Sequence, residues 1–137
     1  MFRRLIACLF LAMPLPALAQ DSVFSNYDDY MRFVDSHIMA RDFIPLVLRL
    51  GGRDEYTDEQ LNAANVQLMS AMPRDFSNSA VLKRVKLSNG FSQEARVYWN
   101  DQLGYTYFYA LLHDQPDGLV VLRFTLNTNI DAIFSKF

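Results

Sequence analysis

The sequence predicts an α+β fold: three N-terminal helices packed on a curved four-stranded antiparallel meander sheet, with a short C-terminal helical turn. Three observations predict it. From Tyr27 to Met72, apolar residues recur at spacings of three and four, the period of a helix face. After Pro73 the period drops to two. The strand-like runs are then joined by turn clusters too short for crossovers, which forces antiparallel neighbours.

The first helix is read as Asn26 to Met39. Ser25 is its candidate N-cap, and Asp28 and Asp29 sit in the first turn, where the helix dipole favours them. Tyr27, Tyr30, Met31, Val34 and Ile38 form its apolar face. Asp42 can cap a short second helix that tolerates Pro45 in its first turn and is apolar nearly all round, from Phe43 to Leu50. Gly51-Gly52 stops it. Thr57-Asp58-Glu59-Gln60 is a capping box that opens the third helix, and Leu61, Ala64, Leu68 and Met72 carry its spacing up to Pro73.

Four strands are expected at Ala80–Ser88, Phe91–Trp99, Tyr105–His113 and Leu119–Asn127. A three-residue loop pairing Ser88 with Ser92 puts Val81, Val85 and Leu87 on one apolar face with Ala95, Val97 and Trp99. A one-residue slip would set them beside Lys86 and Arg84 instead, so a bulged Gly90 hairpin is expected. On the last strand Val120, Leu122, Phe124 and Leu126 make the expected core face. Asn129 can cap a final helical turn through Ile130, Ile133, Phe134 and Phe137.

Residues 1–19 read as a secretory signal peptide. Arg3 and Arg4 form the basic start, Leu5 to Leu15 the apolar run, and Ala17-Leu18-Ala19 a cleavage signature. The expected mature chain, residues 20–137, is one domain, periplasmic or secreted, without a transmembrane segment. Cys8 is the chain's one cysteine, so cleavage after Ala19 removes disulfides and thiolate chemistry together.

The carriers of a wider resemblance are now in place. They are Tyr30-Met31-Arg32-Phe33-Val34 in the first helix, Arg41-Asp42-Phe43-Ile44 opening the second, the capped Thr57-Asp58-Glu59-Gln60-Leu61 helix and the strand-rich half ending Gly118-Leu119-Val120-Val121-Leu122. Their order and spacing resemble the cone-shaped fold of the nuclear transport factor 2-like superfamily, in particular its small exported members of unknown function. The resemblance covers about the whole mature chain and rests on architecture, not on a diagnostic motif. A cystatin-like sheet wrapped on one helix is the nearest rival, and the second and third helices argue against it. The resemblance implies a pocket between helices and sheet. Enzymes of that superfamily place acid–base residues there; its other members hold ligands there or use the open sheet face for partners. No catalytic motif of those enzymes is matched.

The inventory of reactive groups is thin. A net charge of −2 gives no basic field for nucleic acid. His37 and His113 are far apart and lack metal-ligand spacing, so no metal or cofactor is implied. His37 reads best as capping carbonyls at the end of the first helix, with an acid–base pairing to Asp35 as the alternative. Lys83-Arg84-x-Lys86 reads as charge protecting an edge strand. The richest constellation is the expected non-core face of the sheet, where Arg96, Tyr98, Tyr107 and Arg123 form a candidate interaction face. That face either meets a partner or lies under the C-terminal turn. The expected function is a non-enzymatic binding or interaction module for a protein partner or small apolar ligand, including a homodimer through the sheet face. A small acid–base enzyme or an accessory subunit of an envelope complex is the alternative.

Overall fold

The fold is seen in a computed structural model that describes residues 21–137. The expected signal peptide, its cleavage after Ala19 and Cys8 all lie outside the described residues. The elements run β1 (Val23–Phe24), α1 (Tyr27–Met39), α2 (Phe43–Val47), a π-helical turn (Leu48–Gly52), α3 (Asp58–Ala71), β2 (Asn78–Lys86), β3 (Phe91–Trp99), β4 (Tyr105–Gln115), β5 (Gly118–Asn127) and α4 (Ile130–Phe134). The class is α+β, with one antiparallel sheet in the order β1-β5-β4-β3-β2.

The sheet therefore has five strands, not four. The strand missed in the sequence, β1, pairs Val23 with Val120 and Phe24 with Leu119. Two residues are too few to show a period, so only tertiary pairing defines it. The Arg49 Nη2 donates to the Val23 carbonyl at 2.6 Å, and its guanidinium lies 4.0 Å from the centre of the Phe24 ring. Gly118 fits here because of its backbone. Its φ is +145°, and a Cβ on it would stand 2.5 Å from the Phe24 carbonyl oxygen. Gly118→Ala is expected to cost about 1–3 kcal/mol through strain and to loosen β1. Urea unfolding with amide exchange at Val121 checks this, and a change within about 0.5 kcal/mol, the scale of an ordinary surface substitution, would overturn it.

The helix starts follow local chemistry. Asn26, not Ser25, caps α1, its side chain accepting from the Asp29 amide at 2.9 Å. The box at α3 is complete: the Thr57 hydroxyl accepts from the Gln60 amide at 3.2 Å, and Gln60 Oε1 accepts from the Thr57 amide at 2.9 Å. Asn129 caps α4 through the Asp131 amide at 2.9 Å.

Parity is where the sheet departs most from expectation. Four residues, 87–90, join β2 to β3, and Lys86, not Ser88, stands opposite Ser92. Val85 then faces with Gln93 and Ala95, as the pattern required, until a bulge at Leu82 shifts the register and sets Val81 opposite Arg96. A second register shift, between Leu111 and Leu112, makes Leu122 the extra residue of β5. Before it Leu119 and Val121 are in the core; after it Phe124 and Leu126 pack there, and Leu122 itself is 49% exposed. One inserted residue reverses the alternation within a single strand.

On β3 the helices lie on the face opposite to the one expected, while Phe124 and Leu126 of β5 keep the core face expected for them. Tyr30, Val34 and Ile38 of α1 and Phe43 and Leu46 of α2 pack on Tyr98, Phe108, Ala110, Leu112, Leu119 and Val121. Ala95 and Val97 are buried on the other face, where Ile133 of α4 joins Ala95 and Tyr109 in a smaller cluster. Trp99 is only half-buried there and Leu122 is exposed, so the core face that the sequence pattern assigned to both does not form.

Candidate functional site

The reversed sheet puts polar residues against α1. Ser92, Glu94, Arg96 and Tyr98 alternate inward along β3, and Glu94 and Tyr98 are fully buried. Arg96 forms a fork with Asp35 of α1: Nη2 lies 2.9 Å from both carboxylate oxygens, and Nε lies 3.1 Å from Oδ1. Its Nη1 donates to Glu94 at 3.2 Å. The Tyr98 hydroxyl donates to Asp35 at 2.6 Å. Tyr27 and Tyr30 both donate to Glu94, the latter at 3.2 Å. One guanidinium thus holds two carboxylates, and three phenols complete the acceptors. The Arg84 guanidinium closes the rim, 4.1 Å from the centre of the Tyr27 ring.

Electrostatics follow from this geometry. Burial, with Glu94 alongside, pushes the Tyr27 hydroxyl up to about 12, and burial also raises Tyr30 and Tyr98 well above the usual phenol range. Burial works against the charge on Arg96, but Tyr98, Asp35 and Glu94 outweigh it and hold the guanidinium protonated. Because Tyr27 keeps its proton in the fold to about 12, while an unfolded tyrosine loses it near 10, its stabilising share is complete below pH 10. It is lost as pH rises from 10 through 12. Alkaline unfolding followed in the native chain and in Tyr27→Phe should show a shallower decline for the variant over that window. Identical slopes would discard the assignment.

The sequence-predicted face is divided by the sheet. Arg96 and Tyr98 point to α1 and are buried. Tyr107 and Arg123 belong to the opposite face, Tyr107 partly buried near α4 and Arg123 exposed. No single surface presents all four, and α4 covers part of the face that Tyr107 occupies. Asp35 is engaged by Arg96 and Tyr98 rather than by His37. His37 Nδ1 instead meets the Phe33 carbonyl at 2.8 Å, as a helix-end histidine does. His113 stacks on Phe91 with ring centres 3.8 Å apart, and its Nε2 lies 3.0 Å from the Asn89 carbonyl. Among the described residues, no group of three or more His, Cys, Asp or Glu could hold a metal ion.

The open space lies elsewhere. A cavity of ≈ 140 Å³ sits between α2 and α3 against Phe124, lined by Phe43, Val47, Leu61, Ala64 and Leu68. Tyr56, Gln60 and Asn65 are its polar rim, and no charged side chain lines it. A second space of ≈ 300 Å³ continues from Tyr56 and Leu68 along Phe124 to Leu126. This cleft exists because α3 packs on α2 and buries Leu61, leaving Ala64 and Leu68 of its apolar stripe over a gap. The sequence showed that stripe as helical spacing from Leu61 to Met72. Spacing reports that a face is apolar, not whether a neighbour fills it.

Compared with family models, curated proteins and solved structures, the chain matches none.

The chemistry available is therefore that of the two regions just described. The Arg96 cluster is internally satisfied, with Glu94, Arg96, Tyr30 and Tyr98 buried and Tyr27 and Asp35 partly exposed, and its residues line neither space of the cleft. It orders α1 against the sheet. The cleft is apolar, reachable from solvent and lined by no charged side chain. No helix among the described residues is long and apolar enough to cross a membrane.

Proposed function

We propose that the chain is an exported, non-enzymatic binding module of the nuclear transport factor 2-like kind, taking a small apolar ligand in the cleft between α2, α3 and β5. The observation that carries the reading is the uncharged lining of Phe43, Val47, Leu61, Leu68 and Phe124 around ≈ 140 Å³ of space. An apolar void of about 150 Å³ is enough to admit a molecule the size of benzene, and here the space continues toward Leu126. Two further points support the superfamily reading: three helices precede strands β2 to β5 in the chain, and the cleft falls between α2, α3 and β5. Export is read from Arg3-Arg4, the apolar run and Ala17-Leu18-Ala19. Against an enzyme stands the Arg96 cluster, whose acidic and phenolic groups are spent on one another.

The test uses N-phenyl-1-naphthylamine, a neutral apolar fluorophore. The protein should bind it saturably, with a rise in emission. Ala64→Trp, which fills the cleft from an exposed position on α3, should abolish that rise while leaving the melting temperature nearly unchanged. A signal that never saturates, or that survives Ala64→Trp in a folded variant, rejects the cleft as a ligand site.

A further inference from the structure

The apolar cleft does not end at Leu126. At Tyr56, Phe124 and Thr125 it meets a second, polar basin of ≈ 530 Å³, which those three residues also line. The reason is the edge of β5. Among the described residues, β1 covers β5 only at Leu119 and Val120, so the strand beyond Val121 has no partner on its outer side. Successive side chains there point to opposite faces of the sheet. Phe124 and Leu126 turn toward the helices, and Arg123 turns the other way, into the basin. Lys136, carried past the end of α4, lines the same basin. Its backbone carbonyl is fixed there by the Gln93 side chain at 2.9 Å.

Arg123 and Lys136 are the cations of this region, and among the described residues neither lies within ion-pair distance of an acid. They also share the adjoining ≈ 370 Å³ space beside Tyr109 and Leu122. One acid, Glu55, stands on the basin's rim and makes no ion pair among the described residues. The site is thus two-part: an uncharged apolar slot, then a mouth with two cations against one carboxylate.

From this juxtaposition we propose that the ligand is an anionic amphiphile with a single apolar chain. The chain lies in the cleft against Phe43, Leu68 and Phe124, and the anionic head is held by Arg123 and Lys136. This rests on the reading of the cleft as a ligand site and adds the head. An arginine fork pairs with two oxygens of a carboxylate or phosphate, and a lysine supplies a point charge beside it. A neutral or cationic head would leave both cations without an ionic partner, Lys136 resting only over the Tyr109 ring. The shared chemistry, an oxyanion on one alkyl chain, is met by a free fatty acid or by the phosphate head of a single-chain lipid.

Calorimetric titration with dodecanoate, dodecyl phosphate and dodecan-1-ol, each below its aggregation concentration, tests the head separately from the cleft. Both anions, or one of them, should bind roughly tenfold or more tightly than the alcohol, the effect of at least one charge-assisted hydrogen bond. The preferred anion identifies the source: dodecanoate a fatty acid, dodecyl phosphate a lipid phosphate. The double variant Arg123→Gln, Lys136→Gln should bring the anions down to the affinity of the alcohol and leave the alcohol's own binding unchanged. Added salt should weaken the anions selectively. If the alcohol binds as well as the anions, or the double variant leaves them unaffected, the head site is wrong while the apolar cleft stands. If none of the three binds and N-phenyl-1-naphthylamine also fails, both readings fall together.

Discussion

Arg96→Met is expected to remove about 3–5 kcal/mol of stability, the cost of breaking a buried charge pair from one side. The methionine fills much of the same volume, so the loss is electrostatic. Glu94, with no solvent exposure, would be left with phenol donors alone, and Asp35 would lose its fork. Replacing the whole ionic set, as in Asp35→Leu, Glu94→Leu, Arg96→Met, should recover part of that loss, because apolar packing often matches a buried ion pair. The three tyrosine hydroxyls would then lack acceptors, which limits the recovery. Urea midpoints of the native chain, the single and the triple variant measure both effects. A single variant within about 1 kcal/mol of native, the worth of an exposed ion pair, would mean that water reaches the cluster.

Phe108→Ala should be nearly as damaging, at about 3–5 kcal/mol for a large buried ring. Phe108 has no exposure and sits at the centre of the helix-facing sheet, between Arg96 and Leu126 in the cross-strand register. Trp99→Ala should cost clearly less, since that ring is half-buried on the opposite face. Comparing the two by denaturant unfolding decides which face carries the main core. A larger loss from Trp99→Ala would reverse the assignment.

The contrast between those residues shows what was legible in the sequence. The capping box at Thr57 and Gln60, the α1 stripe and the cap at Asn129 are local, and each formed as read. The turn clusters also gave the meander, because short connections leave few choices. Sheet parity was not legible, for two reasons. Bulges at Leu82 and Leu122 reverse the alternation inside a strand, and nothing in either residue announces them. Moreover, the inner face of β3 is polar. Arg96 looked solvent-facing because alone it would be prohibitive to bury, and its burial depends on Glu94 beside it and on Asp35, distant in sequence. The same error sent Arg96 and Tyr98 to a candidate interaction face with Tyr107 and Arg123. Arg123 kept its surface position, and its relevance emerged only once Lys136 was seen beside it.

The pairing of β1 with β5 sets an order of assembly. Strands β2 to β5 join through short hairpin loops, so their contacts close with little loss of chain entropy. Val23 and Val120 come from opposite ends of the domain, and their contact requires the intervening chain to be already in place. Docking of β1 therefore belongs late on the folding route, with a low φ-value at Val23 relative to Phe108. Ser22, whose carbonyl accepts from the Val121 amide at 2.8 Å, also lines the charged basin. The mouth of the proposed binding site is thus finished by the last step of folding, and ligand capture by a refolding chain should lag behind the burial of its aromatic core.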